Sequence, residues 1–351
     1  MQRRQTQPIP QTPQPHDPTP TDARLTSNKN PHEPQGGGAL KLPLEQIELA
    51  WGLVLGLWLM LGLVVGSAMN AIIHRLPLML KAREETTEDS LGAEDPTSEP
   101  QHPRQTLSLW WPRSHCPHCL HPLGVMQLIP VLSFLHLGGR CHFCQAPIAK
   151  RYVWVEVLNA AWWCWCAWRF SQPLGLWSLS PMLSAGNASV LLQMLACALW
   201  SLMGSVLIAL AFIDWEHQLL PDALTQPLLW GGLMASGSGL LGIELHASLW
   251  GAVLGYGCFA GIALVYQALT HQEGLGQGDF KLLAALGAWL GPLSLVPIVF
   301  IASCAGLCLG LWRVRRHGMT ELQRPMPFGP FLVLGALITV MWGPNNWLGL
   351  L

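Results

Sequence analysis

The chain has 351 residues, of which 51% are hydrophobic and 11% charged, with 18 tryptophans and a formal net charge of −1. Soluble domains carry about a quarter charged residues, and here most of the charge precedes residue 152. The near-neutral balance, with no basic patch interleaved with aromatics, excludes a nucleic-acid footprint, so no nucleic-acid partner is expected.

The first 45 residues begin "MQRRQTQPIPQTPQPHDPTPTD". They are rich in Pro, Gln and Thr and poor in apolar residues, which predicts a disordered tail. They show no signal-peptide apolar core. Long apolar runs follow. A membrane span takes about 20 apolar residues, because each rises about 1.5 Å through a core about 30 Å thick. The runs predict spans near 47–74, 153–170, 188–213, 224–243, 247–269, 280–293, 295–312 and 328–345. No polar face accompanies them, which argues against the helices of a soluble core. The expected fold is therefore all-α and polytopic, with about eight transmembrane helices. Within it, "GPLSLVP" (291–297) reads as a tight turn between the sixth and seventh spans. The acidic "EETTEDSLGAEDPTSEP" (84–100) reads as a flexible, solvated insertion.

Lys and Arg set the orientation. Arg75, Lys81, Arg83, Arg104, Arg113, Arg140, Lys150 and Arg151 lie between the first two spans, and Arg313, Arg315, Arg316 and Arg324 follow the seventh. Both loops are expected in the cytoplasm. Counting crossings then puts the 214–223 and 270–280 loops on the same side.

In the first of these loops "CPHC" (116–119) and "CHFC" (141–144) repeat a Cys-x2-Cys pair. Four thiolates at this spacing suit a tetrahedral, structural Zn²⁺ site formed by Cys116, Cys119, Cys141 and Cys144, with an iron centre as the competitor. The cytoplasm disfavours disulfides. His115, His118, His121, His136 and His142 read as solvated loop residues. Cys164, Cys166, Cys197, Cys258, Cys304 and Cys308 read as small buried residues of the spans.

The third span ends "ALAFIDWEHQLLPDALT", and "GLGQGDFKLL" opens the sixth. Ionisable groups at membrane depth are expensive and usually functional. Asp214 and Asp279 fall at the same ends of their spans, so they can meet across a helix interface. Two carboxylates in one site share a proton, which is aspartic-protease chemistry. Gly276 and Gly278 are expected to bend the backbone sharply and admit an extended substrate. Lys281 is expected to bias the shared proton or to snorkel to the interface. Asp222 reads as a helix cap, and Glu216 as solvated. A proton-coupled transporter is the alternative, although no repeated halves are visible.

These segments resemble the type IV prepilin peptidase family, the Gly-x-Gly-Asp intramembrane aspartyl proteases. The resemblance is carried by "GSAMNAIIHRLP" (66–77), the two knuckles, "IAKRYVWVE" (148–156), "DWEHQLLPDALTQPLLWGGL", "GLGQGDFKLLAALGAW" and "PFGPFLVLG" (327–335). It implies a bacterial inner-membrane enzyme whose active site lies at the cytoplasmic face. Such an enzyme cuts the basic leader from prepilins or type II secretion pseudopilins after a glycine. It then methylates the new N-terminus with S-adenosylmethionine. Asp214 and Asp279 match the family's catalytic pair. The implied organisation is a tail over 1–45, a first span over 46–76, and a cytoplasmic zinc and methyltransferase region over 77–151. A seven-helix peptidase region covers 152–351. Ala68, Met69, His74 and Val153 depart from the family pattern, and no Gly-rich nucleotide loop is visible. A peptidase without methyl transfer therefore stays open at this point.

Overall fold

A computed structural model of the chain describes residues 44–92, 108–109, 111, 113–171, 187–271, 276–318 and 326–343. The elements are α1 (Leu44–Gly92), α2 (Leu132–His136), α3 (Arg151–Ser171), α4 (Asn187–His217), α5 (Asp222–Gly237), α6 (Leu245–Thr270), α7 (Gln277–Leu290), α8 (Leu295–His317) and α9 (Gly329–Trp342). Short 3₁₀ turns cover Val125–Leu128 and Pro292–Ser294, the second within the expected tight turn. Among the described residues the β pairing amounts to two isolated bridges. The all-α expectation therefore holds. The predicted tail lies outside the described residues apart from the start of α1. The acidic segment is not wholly a flexible insertion, because α1 continues through it as far as Gly92. Its remainder lies outside the described residues.

Among the described residues, four stretches are long and apolar enough to cross a membrane: Gly52–Glu84, Val190–His217, Leu245–Thr270 and Pro292–His317. The expected count of eight is not supported helix by helix. α5 has 16 residues, and α7 and α9 have 14 each. At about 1.5 Å per residue they reach only about 21–24 Å, short of a bilayer core. α3 has the length, but it carries Arg151, Glu156, Asn159 and Arg169.

The reason is packing. The apolar windows of α1 and α6 are 17% and 22% buried, whereas that of α4 is 67% buried, the most of the four candidate spans. α7 is buried along nearly its whole length. A helix sheathed by other helices is apolar because its surroundings are protein, and it does not have to span lipid alone. The outer faces of α1 and α6 carry exposed Leu53, Leu57, Val253 and Leu264. Of the span cysteines, Cys166 and Cys197 are buried as expected, whereas Cys258, Cys304 and Cys308 are exposed on α6 and α8. Tryptophan indoles tie the interior together. Trp163 donates to Ser205 Oγ at 2.9 Å and Trp289 to the Leu228 carbonyl at 2.7 Å.

α7 meets α6 backbone to backbone. A Cβ at Gly251 would overlap the Gly287 carbonyl, one at Gly287 would overlap the Gly251 carbonyl, and one at Gly255 would fall 2.6 Å from the Leu283 oxygen. Small residues at such seams let helices approach in a membrane. Gly251→Leu should force the two helices apart and cost about 1–3 kcal/mol or more. Thermal unfolding in detergent would report it. Gly257→Ala on the same helix meets nothing within 4 Å, and should be neutral or slightly stabilising.

Candidate active site

α4 ends within a loop of α5, and α7 and α9 both begin against that loop. Asp214 lies in the last turn of α4 and Asp279 in the first turn of α7, and both are buried. Asp279 lies within electrostatic range of Asp214. The Gly329 N–H, at the start of α9, donates to Asp214 Oδ2 at 2.9 Å. A Cβ on Gly329 would lie 2.7 Å from the same oxygen, so this contact needs a glycine. Leu220 wedges the assembly. Its side chain lies where a Cβ of Gly278 would sit, at 2.7 Å, and 3.3 Å from a Cβ position on Gly329. Next to Asp279 and Gly329 in the chain, Phe280 and Phe328 both pack on Phe259, with ring centroids 6.4 and 6.0 Å apart. Together these contacts form an apolar wall around two acids and one backbone donor.

Several expectations change here. Gly276 caps α7 with φ of −70°, and Gly278 is an ordinary helical residue. Neither backbone conformation requires a glycine. Gly278 is needed for space, because Leu220 fills it. Lys281 donates to both oxygens of Asp222 at 2.7 and 2.8 Å. It therefore holds α7 to α5 and does not sit beside the shared proton. Asp222 is not the cap: Pro221 occupies that position, and Asp222 is the first residue inside the helix. Glu216 pairs with Arg151 at the start of α3. It is two residues from Asp214, about 200° around the helix at about 100° each, so the two acids leave α4 on opposite faces. Gly329 and Leu220 were the functional neighbours that sequence reasoning missed. The "PFG" triplet (327–329) was the visible signal, but its partner is 115 positions away.

The knuckles repeat one backbone design. The N–H of Leu120 donates to the Cys116 carbonyl, and that of Gln145 donates to the Cys141 carbonyl, at 2.8 and 3.0 Å. Leu120 and Gln145 take φ of 56° and 58°. Bridges His115–Pro122 and Arg140–Pro147 close the two turns. His121 and Phe143 stack across them at 3.6 Å. The four cysteine sulfurs lie within 4.8 Å of one another, and no histidine joins them. Cys116 and Cys144 Sγ are 3.8 Å apart. A tetrahedron with metal–sulfur bonds of about 2.3 Å has edges of about 3.8 Å, so the donor set fits a closed metal site. The backbone N–H groups of Cys144 and Phe143 bring the Cys141 thiol down to about 7.

The profile described as "Bacterial Peptidase A24 N-terminal domain" matches residues 60–170, and that described as "Type IV leader peptidase family" matches 201–311. A "Prepilin leader peptidase/N-methyltransferase" of Aeromonas hydrophila is 39% identical over 306 residues, covering 85% of this chain and 95% of that one. The chain belongs to the type IV leader peptidase family. Family members bearing the same printed name in Pseudomonas aeruginosa and Dichelobacter nodosus are 37% and 39% identical, over 81% and 80% of this chain and 89% of each of theirs. No solved structure matches it. The first family profile covers α3, both knuckles and most of α1. The second holds Asp214 and Asp279.

Gly329→Ala should displace the Asp214 carboxylate while leaving the helices assembled. Cleavage of a prepilin should fall at least tenfold, with the melting temperature nearly unchanged. An unaltered rate would mean that the Gly329 contact does not position Asp214.

Proposed function

We propose that the chain cuts the leader from prepilins or pseudopilins and then methylates the exposed N-terminus, with Asp214 and Asp279 as the peptidase dyad. The observation that carries this reading is the meeting of two buried carboxylates at one end of the bundle, with a backbone donor on one of them. A donor that hydrogen-bonds a carboxylate stabilises its anion. Asp214, which accepts from Gly329, therefore takes the proton from the attacking water. Asp279 keeps its proton and hydrogen-bonds the scissile carbonyl. The water oxygen adds to the carbonyl carbon, and the proton held by Asp214 passes to the leaving nitrogen. The phenylalanine wall excludes other water and strengthens these interactions.

The end of α4, the start of α3 and the basic end of α8 share one end of the bundle, where Arg313 stacks over Trp215 at 6.0 Å. The Lys and Arg excess there supports a cytoplasmic face of the bacterial inner membrane. The four cysteines would hold Zn²⁺, which fixes the loop between α1 and α3. Four sulfurs fill its coordination, so it takes no part in the chemistry. Methyl transfer implies S-adenosylmethionine, which supplies an electrophilic methyl group on sulfur.

Mass spectrometry of a prepilin N-terminus after incubation with purified enzyme reads both activities. Asp214→Asn and Asp279→Asn should each lower cleavage by more than about 10²–10⁴. Methylation of a pre-cleaved substrate should survive Asp279→Asn. Asp222→Asn should cost less than tenfold, because its exposed ion pair with Lys281 is worth about 0–1 kcal/mol. A dead Asp222→Asn beside a near-normal Asp214→Asn would show the wrong partner for Asp279. The pH–rate profile should be bell-shaped: acid protonates both carboxylates, alkali ionises both, and the two limbs belong to the pair. Elemental analysis should find one zinc per chain, lost on Cys144→Ser. Iron in its place would refute the zinc assignment.

A further inference from the structure

A cavity of about 560 Å³ lies between α1, the knuckle loop and the start of α3. Small-molecule sites are typically about 300–1,000 Å³. Neither Asp214, Asp279 nor Gly329 lines it. Much of its wall is apolar, from Leu78, Leu123, Phe134, Leu137 and Ile148.

Three polar groups in the wall stand out. Glu156 is buried, and it accepts the Val131 N–H at 2.8 Å. The side chains of Ser67 and Asn70 line the same cavity. These groups are all neutral, and a buried carboxylate without a cation is costly. Asn70 donates through Nδ2 to the Tyr152 carbonyl at 2.9 Å, while its buried Oδ1 has no partner. Arg151 pairs with Glu216 through one terminal nitrogen, while its buried Nε has no partner. The side chains that carry an orphan acceptor, an orphan donor and a buried acid thus line one cavity.

A zwitterionic, cationic nucleoside would satisfy all three. Its ammonium suits the Asn70 oxygen, its carboxylate suits the Arg151 N–H, its sulfonium charge suits Glu156, and its base suits the apolar wall. We infer that this cavity is the binding site for the methyl donor, with Glu156 facing the sulfonium and Asn70 and Arg151 holding the amino-acid end. The inference rests on the methyltransferase reading above. It also gives α4 a second purpose. Glu216 lines this cavity, whereas Asp214 leaves the opposite face of the same turn. The two sites therefore share one helix end as a wall, and a newly cut N-terminus has only to pass around it.

Equilibrium dialysis of the full-length protein in lipid nanodiscs tests this without any turnover. The probes are radiolabelled S-adenosylmethionine and its neutral thioether product, S-adenosylhomocysteine. The wild type should bind both. Glu156→Gln keeps the shape and the Val131 contact but removes the charge. It should weaken the sulfonium ligand about 10–100-fold and the thioether by less than about threefold. Loss of fold weakens both ligands alike, so their difference is the readout, and metal content and melting temperature check the fold separately. Ala71→Trp, which fills the cavity from α1, should weaken both ligands more than about tenfold. Normal binding by Ala71→Trp, or no difference between the ligands in a folded Glu156→Gln, would overturn the inference. A wild type that binds neither ligand would instead overturn the methyltransferase reading.

Discussion

The hydrogen bond from the Gly329 N–H to Asp214 is the contact on which the end of the bundle holding Asp214 and Asp279 depends. It joins the last turn of α4 to the first turn of α9 across an apolar interior, where a carboxylate without a donor would be costly. The same glycine has no side chain to keep Leu220 away, and Leu220 in turn fills the space beside Gly278. Three helix ends are thereby locked through one small cluster.

α7 supplies the other half of the geometry. It is too short to cross a bilayer by itself, yet it is almost wholly buried. The glycine seam with α6 fixes its depth, and Trp289, bonded to the Leu228 carbonyl, ties it to α5. The Lys281–Asp222 ion pair pins the end that carries Asp279. That pair is half exposed and contributes little energy, so it sets register more than stability. Depth and register together bring Asp279 to the level of Asp214.

The knuckle loop and the cavity beside it form a second centre built on the other face of α4. Two turns of the same backbone design bring four sulfurs to one point, and the loop then has a fixed surface to present to α1 and α3. Arg151 and Glu216 fasten that surface to the helix that carries Asp214. The proposed donor cavity and the Asp214–Asp279 pair thus adjoin one helix end but share no residue.

The sequence by itself determined the helical class, the membrane character, the four-cysteine cluster and the candidacy of Asp214 and Asp279. Apolar runs, Cys-x2-Cys spacing and acids at the edges of apolar runs are local signals, and local signals survive in one dimension. It did not determine how many helices span lipid. Apolarity reports burial in protein and in lipid alike, so α5, α7 and α9 read as full spans. Nor did it assign Asp222, Lys281, Gly278 or Glu216. Each takes its partner from a distant part of the chain, and Gly278 looked like a hinge when its constraint was a leucine 58 positions away. Only the tertiary structure decided these roles, because a side chain's neighbours across a helix interface are set by packing depth and rotation, which no single segment encodes.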